Sequence, residues 1–152
     1  MRLTTFSTCT LHVLTYLALH PDRFVTIAEI AQAYGMSANH LMKVVQHLAH
    51  GGDVVTLRGP RGGLRLARPA AGIRVGDVIR RTEPAWAWVP NREGVVQPDS
   101  GVPHVLKTAM AAFMAVLDGH TIADLAAAKN AVASLRAPCD SHREPHSDAA
   151  IP

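Results

Sequence analysis

Residues 26–67 read TIAEIAQAYGMSANHLMKVVQHLAHGGDVVTLRGPRGGLRLA. Thr26-Ile-Ala-Glu29 has the pattern of a capping box, in which the Thr hydroxyl takes the Glu29 amide and the Glu carboxylate reaches back to the Thr26 amide. Ile27, Ile30 and Ala31 form the apolar side of the short helix that follows. Tyr34-Gly35-Met36 ends it, because a chain leaving a helix through a left-handed residue favours glycine. Ser37 then caps a second helix over about 38–50, whose apolar stripe is Leu41, Val44, Val45 and Leu48. Gly51-Gly52 stops that helix. Two β-type runs follow, Asp53–Arg58 and Leu64–Ala67, and the Gly59-Pro60-Arg61-Gly62-Gly63 turn between them predicts a hairpin.

Two helices on a tight Gly turn followed by a β-hairpin describe a winged helix-turn-helix. In that arrangement the second helix enters the major groove of DNA with its N-terminal residues toward the bases. The polar side of residues 38–50 carries Asn39, His40, Lys43 and His47. Asn39 and His40 sit where side chains reach base edges, and Lys43, one turn on, suits a phosphate or a guanine. Ser37 and the amides of the first turn can bind a phosphate oxygen. In the hairpin, Arg58, Arg61, Arg65 and Arg68 bracket Gly59, Gly62 and Gly63. Glycine lets backbone approach a phosphate or a narrow groove, and arginine senses the negative potential of an A·T-rich minor groove. A nucleotide-binding Gly loop is disfavoured, because this one joins strand to strand and no Gly-Lys-Ser/Thr follows.

Outward from this unit, Phe6, Thr10, Val13, Leu14 and Leu17 predict a helix over 5–19, stopped by His20-Pro21-Asp22. Pro69 opens a linker, and Val75–Thr82 reads as a short helix. Residues 84–103 hold four prolines and two glycines, a loop long enough to be functional or mobile. Leu106, Ala109, Met110, Phe113 and Leu117 mark a helix over 104–118, and Thr121-Ile-Ala-Asp124 caps another that runs to about Leu135. The chain divides into a DNA-binding unit (1–83), a loop (84–103), a helical part (104–135) and a polar tail without fixed structure (136–152).

The charge distribution agrees. Of the 152 residues, 1–81 carry ten Lys/Arg against four Asp/Glu, a balance of +6, and 82–152 carry five against eight, a balance of −3. A basic N-terminal half fits a polyanion. No run of 18 apolar residues predicts a membrane span. No basic stretch leads into an apolar core at the N-terminus, and the two cysteines, Cys9 and Cys139, do not make a disulfide framework, so the expectation is a cytoplasmic protein. HExxH, GxSxG, CxxC and Walker A motifs are absent, and an enzyme is not expected.

The sequence resembles the Rrf-two family of winged-helix regulators, the IscR and NsrR type. The resemblance rests on Met1-Arg2-Leu3-Thr4, Tyr34-Gly35-Met36-Ser37, Asn39-His40-Leu41-Met42-Lys43-Val44-Val45, Leu48, Arg58-Gly59, Gly62-Gly63-Leu64-Arg65-Leu66-Ala67, Ile73 to Arg80, Glu83-Pro84, Leu106-Lys107 and Thr121 to Leu125. It covers about residues 1–135. The resemblance implies a mainly α fold with a small β-hairpin wing and C-terminal dimerisation helices. It also implies a homodimer on a palindromic operator in double-stranded DNA, acting as a transcriptional regulator of the repressor kind, with the helix near 104–118 pairing the protomers. The apolar stripe read there is what such a helix needs.

One departure carries information. Iron–sulfur members of the family hold three cysteines in the loop before the dimer helix, and residues 84–103 have none. Thiolates hold such clusters, so no cofactor is expected. His104 falls near the place of the third cysteine, Thr8 where some relatives carry a carboxylate ligand, and Cys9 beside it; His104 and Cys9 are the remaining metal candidates. Trp86 and Trp88 would anchor the loop or line a small apolar pocket. Cys139-x-x-His142-x-x-x-His146 has metal-ligand spacing without a fourth ligand. The alternatives to a plain regulator are the same fold with a thiol- or small-molecule-responsive switch, or an atypical metal or iron–sulfur sensor.

Overall fold

The computed structural model describes residues 3–59, 62–83 and 102–128, with the side chains of 102 and 103 left aside. Helix α1 (Thr5–Ala18) starts at Thr4, whose hydroxyl accepts the Ser7 amide at 3.2 Å. It is the hub, packing on α3 (Ala38–His50), α4 (Val75–Thr82), α6 (Ile122–Ala127) and strand β2 (Gly63–Leu66). Cys9, Val13, Leu14 and Leu17 face inward and meet Val25, Ile30, Leu41, Val44, Leu48, Leu64, Ile79 and Ile122 in one core. Burying a side chain of this size stabilises by roughly 1.5–3 kcal/mol, so the core decides which face each helix hides.

The helix-turn-helix forms as its residues predict. Thr26 caps α2 (Ile27–Tyr34) by accepting the Glu29 amide at 3.1 Å, and Gly35 closes it at φ 65°. The return half of the expected capping box is not made. The Glu29 carboxylate instead takes the Arg23 guanidinium and the Tyr16 hydroxyl (3.0 Å). A charged donor outbids a neutral backbone amide for the same oxygen.

Strand β1 (Val54–Leu57) pairs antiparallel with β2 in the register Val54↔Leu66 to Leu57↔Gly63. Val25 adds a third strip, exchanging both backbone bonds with Leu64 at 2.9 and 2.8 Å. Glycine is needed at 63 for that approach, since a β-carbon there would lie 2.6 Å from the Val25 carbonyl oxygen. The linker expected after Pro69 contains a 3-10 turn, Ala70–Gly72.

Helix α4 occupies the residues its sequence predicts. Helix α5 (Val102–Asp118) begins two residues earlier than expected and absorbs Pro103, whose missing N–H matters little in a first turn. The Thr121–Asp124 capping box is complete, with Thr121 N–H to Asp124 Oδ2 at 2.7 Å and Asp124 N–H to Thr121 Oγ1 at 3.3 Å. Helix α6 is shorter than predicted and stops at Ala127, where Ala128 turns extended. Ile122 and Leu125 hold it to the core, and the alanines after them bring only methyl groups. Ile122 N–H to Ile73 carbonyl (2.9 Å) and Val75 N–H to His120 carbonyl (2.9 Å) stitch α6 to the start of α4. Among the described residues no helix is long and apolar enough to cross a membrane.

Candidate nucleic-acid interface

Helix α3 is split cleanly by burial. Leu41, Val44, Val45 and Leu48 are inside, while Asn39, Lys43, Gln46, His47 and His50 are exposed. Ser37 stands at the N-cap with β-type backbone (φ −66°, ψ 126°), but its hydroxyl makes no bond to the helix amides. Hydroxyl and first-turn amides are thus both available to an anion. His40 and His47 are not equivalent to Asn39 and Lys43. Both rings rest edge-on against Phe6 of α1, at 6.3 Å (75°) and 5.4 Å (83°). His47 stays exposed. His40 is half-buried, with Nε2 covered and without a hydrogen-bond partner among the described residues. Phe6 is therefore the floor beneath the polar face of α3.

In the wing, Arg58 is exposed and Gly62 N–H closes the turn onto the Gly59 carbonyl at 2.8 Å. Gly63 sits at the start of β2. Arg65 is exposed, its guanidinium 5.0 Å above the Phe24 ring in a cation–π contact. Arg61 and Pro60 lie outside the described residues, as do Trp86, Trp88, Cys139, His142 and His146.

Arg68 does not belong with the other wing arginines. Its Nη2 lies 2.8 Å from Asp53 Oδ1 and its Nη1 bonds the Gly72 carbonyl at 2.9 Å. Arg81 of α4 takes the other Asp53 oxygen. The Asp53 side chain is 1% exposed, and a carboxylate taken out of water needs counter-charges. Neither Asp53 nor Arg81 stood out in sequence. The one local signal was an acid opening an otherwise apolar strand.

Two further buried polar groups frame the site. Glu83, 2% exposed, accepts the Thr4 amide at 2.6 Å. Burial pushes its pKa up, but hydrogen bonds from Ser7 and Thr4 outweigh that and leave it lowered. His12 is buried and stacked on Tyr34, the last residue of α2, at 4.8 Å and 13°. Burial lowers its pKa and keeps the ring neutral.

Cys9 is 1% exposed within the core, and His104 is exposed in the first turn of α5. The two are on different elements, and among the described residues no three His, Cys, Asp or Glu side chains gather as a metal site.

A reading helix with an exposed polar face, backed by a core and followed by a two-stranded wing, defines a winged-helix DNA-binding transcriptional regulator. The chain belongs to the Rrf2 family, whose profile, described as an iron-dependent transcriptional regulator, matches residues 3–128. Among solved structures it is similar to IscR of T. potens (29% identity, 82% of this chain and 85% of that one, TM-score 0.68). It is also similar to CymR (YrzC), the global cysteine regulator of B. subtilis (26% identity, 83% and 96%, TM-score 0.70). The oxidized form of Staphylococcus aureus CymR matches at 26% identity over 84% and 97%, with a TM-score of 0.71.

Proposed function

We propose that this regulator is a cytoplasmic homodimeric repressor that binds a palindromic operator without an iron–sulfur cluster. The observation that carries the DNA reading is the outward side of α3. Lys43 and Asn39 stand exposed there without an ion pair among the described residues, above the Phe6 floor. Two such helices about one DNA turn apart occupy successive major grooves, and the wings hold the flanking minor grooves through Arg58, Arg61 and Arg65. Of the apolar stripe read on α5, Leu117 packs on the core and Leu106 stays exposed; the support for dimerisation is Leu106 (47%) with the exposed Val105 (64%) and Val116 (63%). Exposed apolar side chains at both ends of one helix, about three turns apart on its surface, are what a pairing surface supplies.

The donor set argues against a cluster. The chain has two cysteines, and Cys9 is packed in the core beside Val13. A cluster held by thiolates has too few here. The same burial leaves the Cys9 thiol out of reach of an oxidant unless α1 moves.

The test is a set of measurements on anaerobically purified protein. The expected result is a colourless dimer in sedimentation, with no stoichiometric iron, that binds and silences a promoter bearing an operator selected from a random library. Leu106→Glu should yield monomers. Stoichiometric iron with visible charge-transfer absorption, lost in His104→Ala or Cys9→Ser, would replace this reading with that of an unusual metal sensor.

A further inference from the structure

Asp53 follows the Gly51-Gly52 turn that ends α3 and immediately precedes β1. Its carboxylate is buried between Arg68, just beyond β2, and Arg81, in the last turn of α4. Its backbone is also engaged: Asp53 N–H donates to the Leu48 carbonyl of α3 at 3.0 Å, and Ala67 N–H donates to the Asp53 carbonyl at 2.9 Å. Arg81 Nη1 would lie only 3.1 Å from a β-carbon on Gly51, so the guanidinium rests on the C-terminal end of α3. That end is the negative pole of the helix, which favours a cation there. One side chain therefore ties the end of the reading helix, the feet of both wing strands and α4.

The wing needs such a tie. A two-stranded hairpin is marginal alone, and beyond this clamp it is held by the Val25–Leu64 backbone pair and the burial of Val54 and Leu64. Its strands are four residues each. Such a strand is about 13 Å long, so a rotation of about 10° at its foot moves the tip by about 2 Å. A displacement of that size separates a guanidinium from a phosphate oxygen.

We propose that Asp53 is a positioning residue for DNA binding: through Arg68 and Arg81 it sets the angle between the wing and α3, so that Arg58, just past the far end of β1, reaches DNA when α3 lies in the groove. The proposal rests on the reading that the wing touches DNA. Asp53 and Arg68 themselves stay off the nucleic acid.

The probe is a duplex selected by the wild-type protein from a random-sequence library, titrated by fluorescence anisotropy against Asp53→Ala, Arg58→Ala, the double variant and Arg68→Gln. Arg68 is 42% exposed, so Arg68→Gln loosens the clamp with little risk to folding should Asp53→Ala not fold. Arg58→Ala and Asp53→Ala are each expected to weaken binding about tenfold, and the double variant hardly more, because both remove the same wing contact. Arg68→Gln is expected to weaken binding in the same range and, because the displaced wing leaves its phosphate, to lower the salt slope by about one, as Arg58→Ala does. Hydroxyl-radical protection at the flanking minor grooves should fade in Asp53→Ala or Arg68→Gln while protection by α3 persists. Normal binding by Arg58→Ala overturns the wing reading and the proposal with it. Weakened binding by Arg58→Ala beside additive or absent effects of the clamp variants overturns the positioning role alone, as does a salt slope that stays at the wild-type value in Arg68→Gln.

Discussion

The tip and the base of the wing carry the same residue type in opposite situations. Toward the tip Arg58 is exposed, and along β2 Arg65 is exposed over the Phe24 ring; among the described residues neither makes an ion pair. At the base, Arg68 and Arg81 are taken up by the buried Asp53. A similar pairing occurs elsewhere: Arg23 holds Glu29, and Arg80 holds Asp77 at 3.0 Å and Asp118 at 2.5 Å. The basic excess of the N-terminal half is thus not spread evenly. Much of it is neutralised where the elements join, and among the described residues of that half the basic side chains without an ion pair are Lys43 on α3, Arg58 and Arg65 of the wing and Arg74 at the start of α4. Net charge therefore signals the class of partner, and pairing decides which side of the molecule meets it.

The largest effect should come from the seat of the base. Gly76 of α4 packs so closely on α5 that a β-carbon there would stand 1.9 Å from Asp118 Oδ1 and 3.2 Å from its amide nitrogen. Gly76→Ala is expected to destabilise the fold by about 3 kcal/mol, an overpacking effect read as a shifted urea midpoint. A midpoint equal to wild type would mean that α4 and α5 are not seated this closely.

At the tip the expectation reverses: affinity changes and stability does not. Arg61→Ala should lose about 1–3 kcal/mol of operator affinity while the urea midpoint holds within about 0.5 kcal/mol. Lys43→Ala should weaken binding with the salt slope lower by about one and sequence preference retained. A lowered urea midpoint with unchanged operator affinity in either variant would erase the contrast between the DNA-facing side and the base.

Acid should act on the scaffold and not on the tip. His12 has a pKa below its ordinary 6.5 because burial disfavours the charged ring. The unfolded chain then takes up the proton first, so this contribution to stability is full above pH 6.5 and is lost as pH falls below it. Glu29, lowered from 4.5 to about 2 by the hydrogen bond from Arg23, adds a second loss between those values. Melting curves across pH 7.5 to 5 should therefore decline in the wild type and flatten in His12→Phe, which keeps a ring against Tyr34. Equal declines in both would show that His12 does not titrate as a buried group. Smallest of all should be Arg80→Ala, whose side chain is itself 47% exposed: a stability change near the error of the unfolding curve, and no change in the salt slope.

Much of this was legible in the residues. Thr26, Gly35 and Ser37 marked the ends of α2 and the start of α3, Gly51-Gly52 its stop, and Val75–Thr82 the whole of α4, because caps, glycines and apolar period are local properties of the chain. Boundaries shifted by one residue at the end of α1 and in both hairpin strands, by two at the start of α5, and by more at the end of α6. The candidate reading residues are a mixed case. Asn39 and Lys43 stand exposed as their helical positions predict, whereas His40 turns back onto Phe6, thirty-four residues away in the chain.

By itself, then, the amino-acid order determined the helix-turn-helix, the hairpin and the basic character of the half that holds them, since each depends on neighbours within a few turns of chain. Only the tertiary structure decided which charges are available. Arg58, Arg65, Arg68 and Arg81 are alike as residues, and what separates them is a carboxylate at position 53 brought into the interior by the burial of Val54 and Leu64 beside it. A buried charge takes its partners from whichever elements the fold delivers to it, and that proximity is set by packing across the core rather than by spacing along the chain.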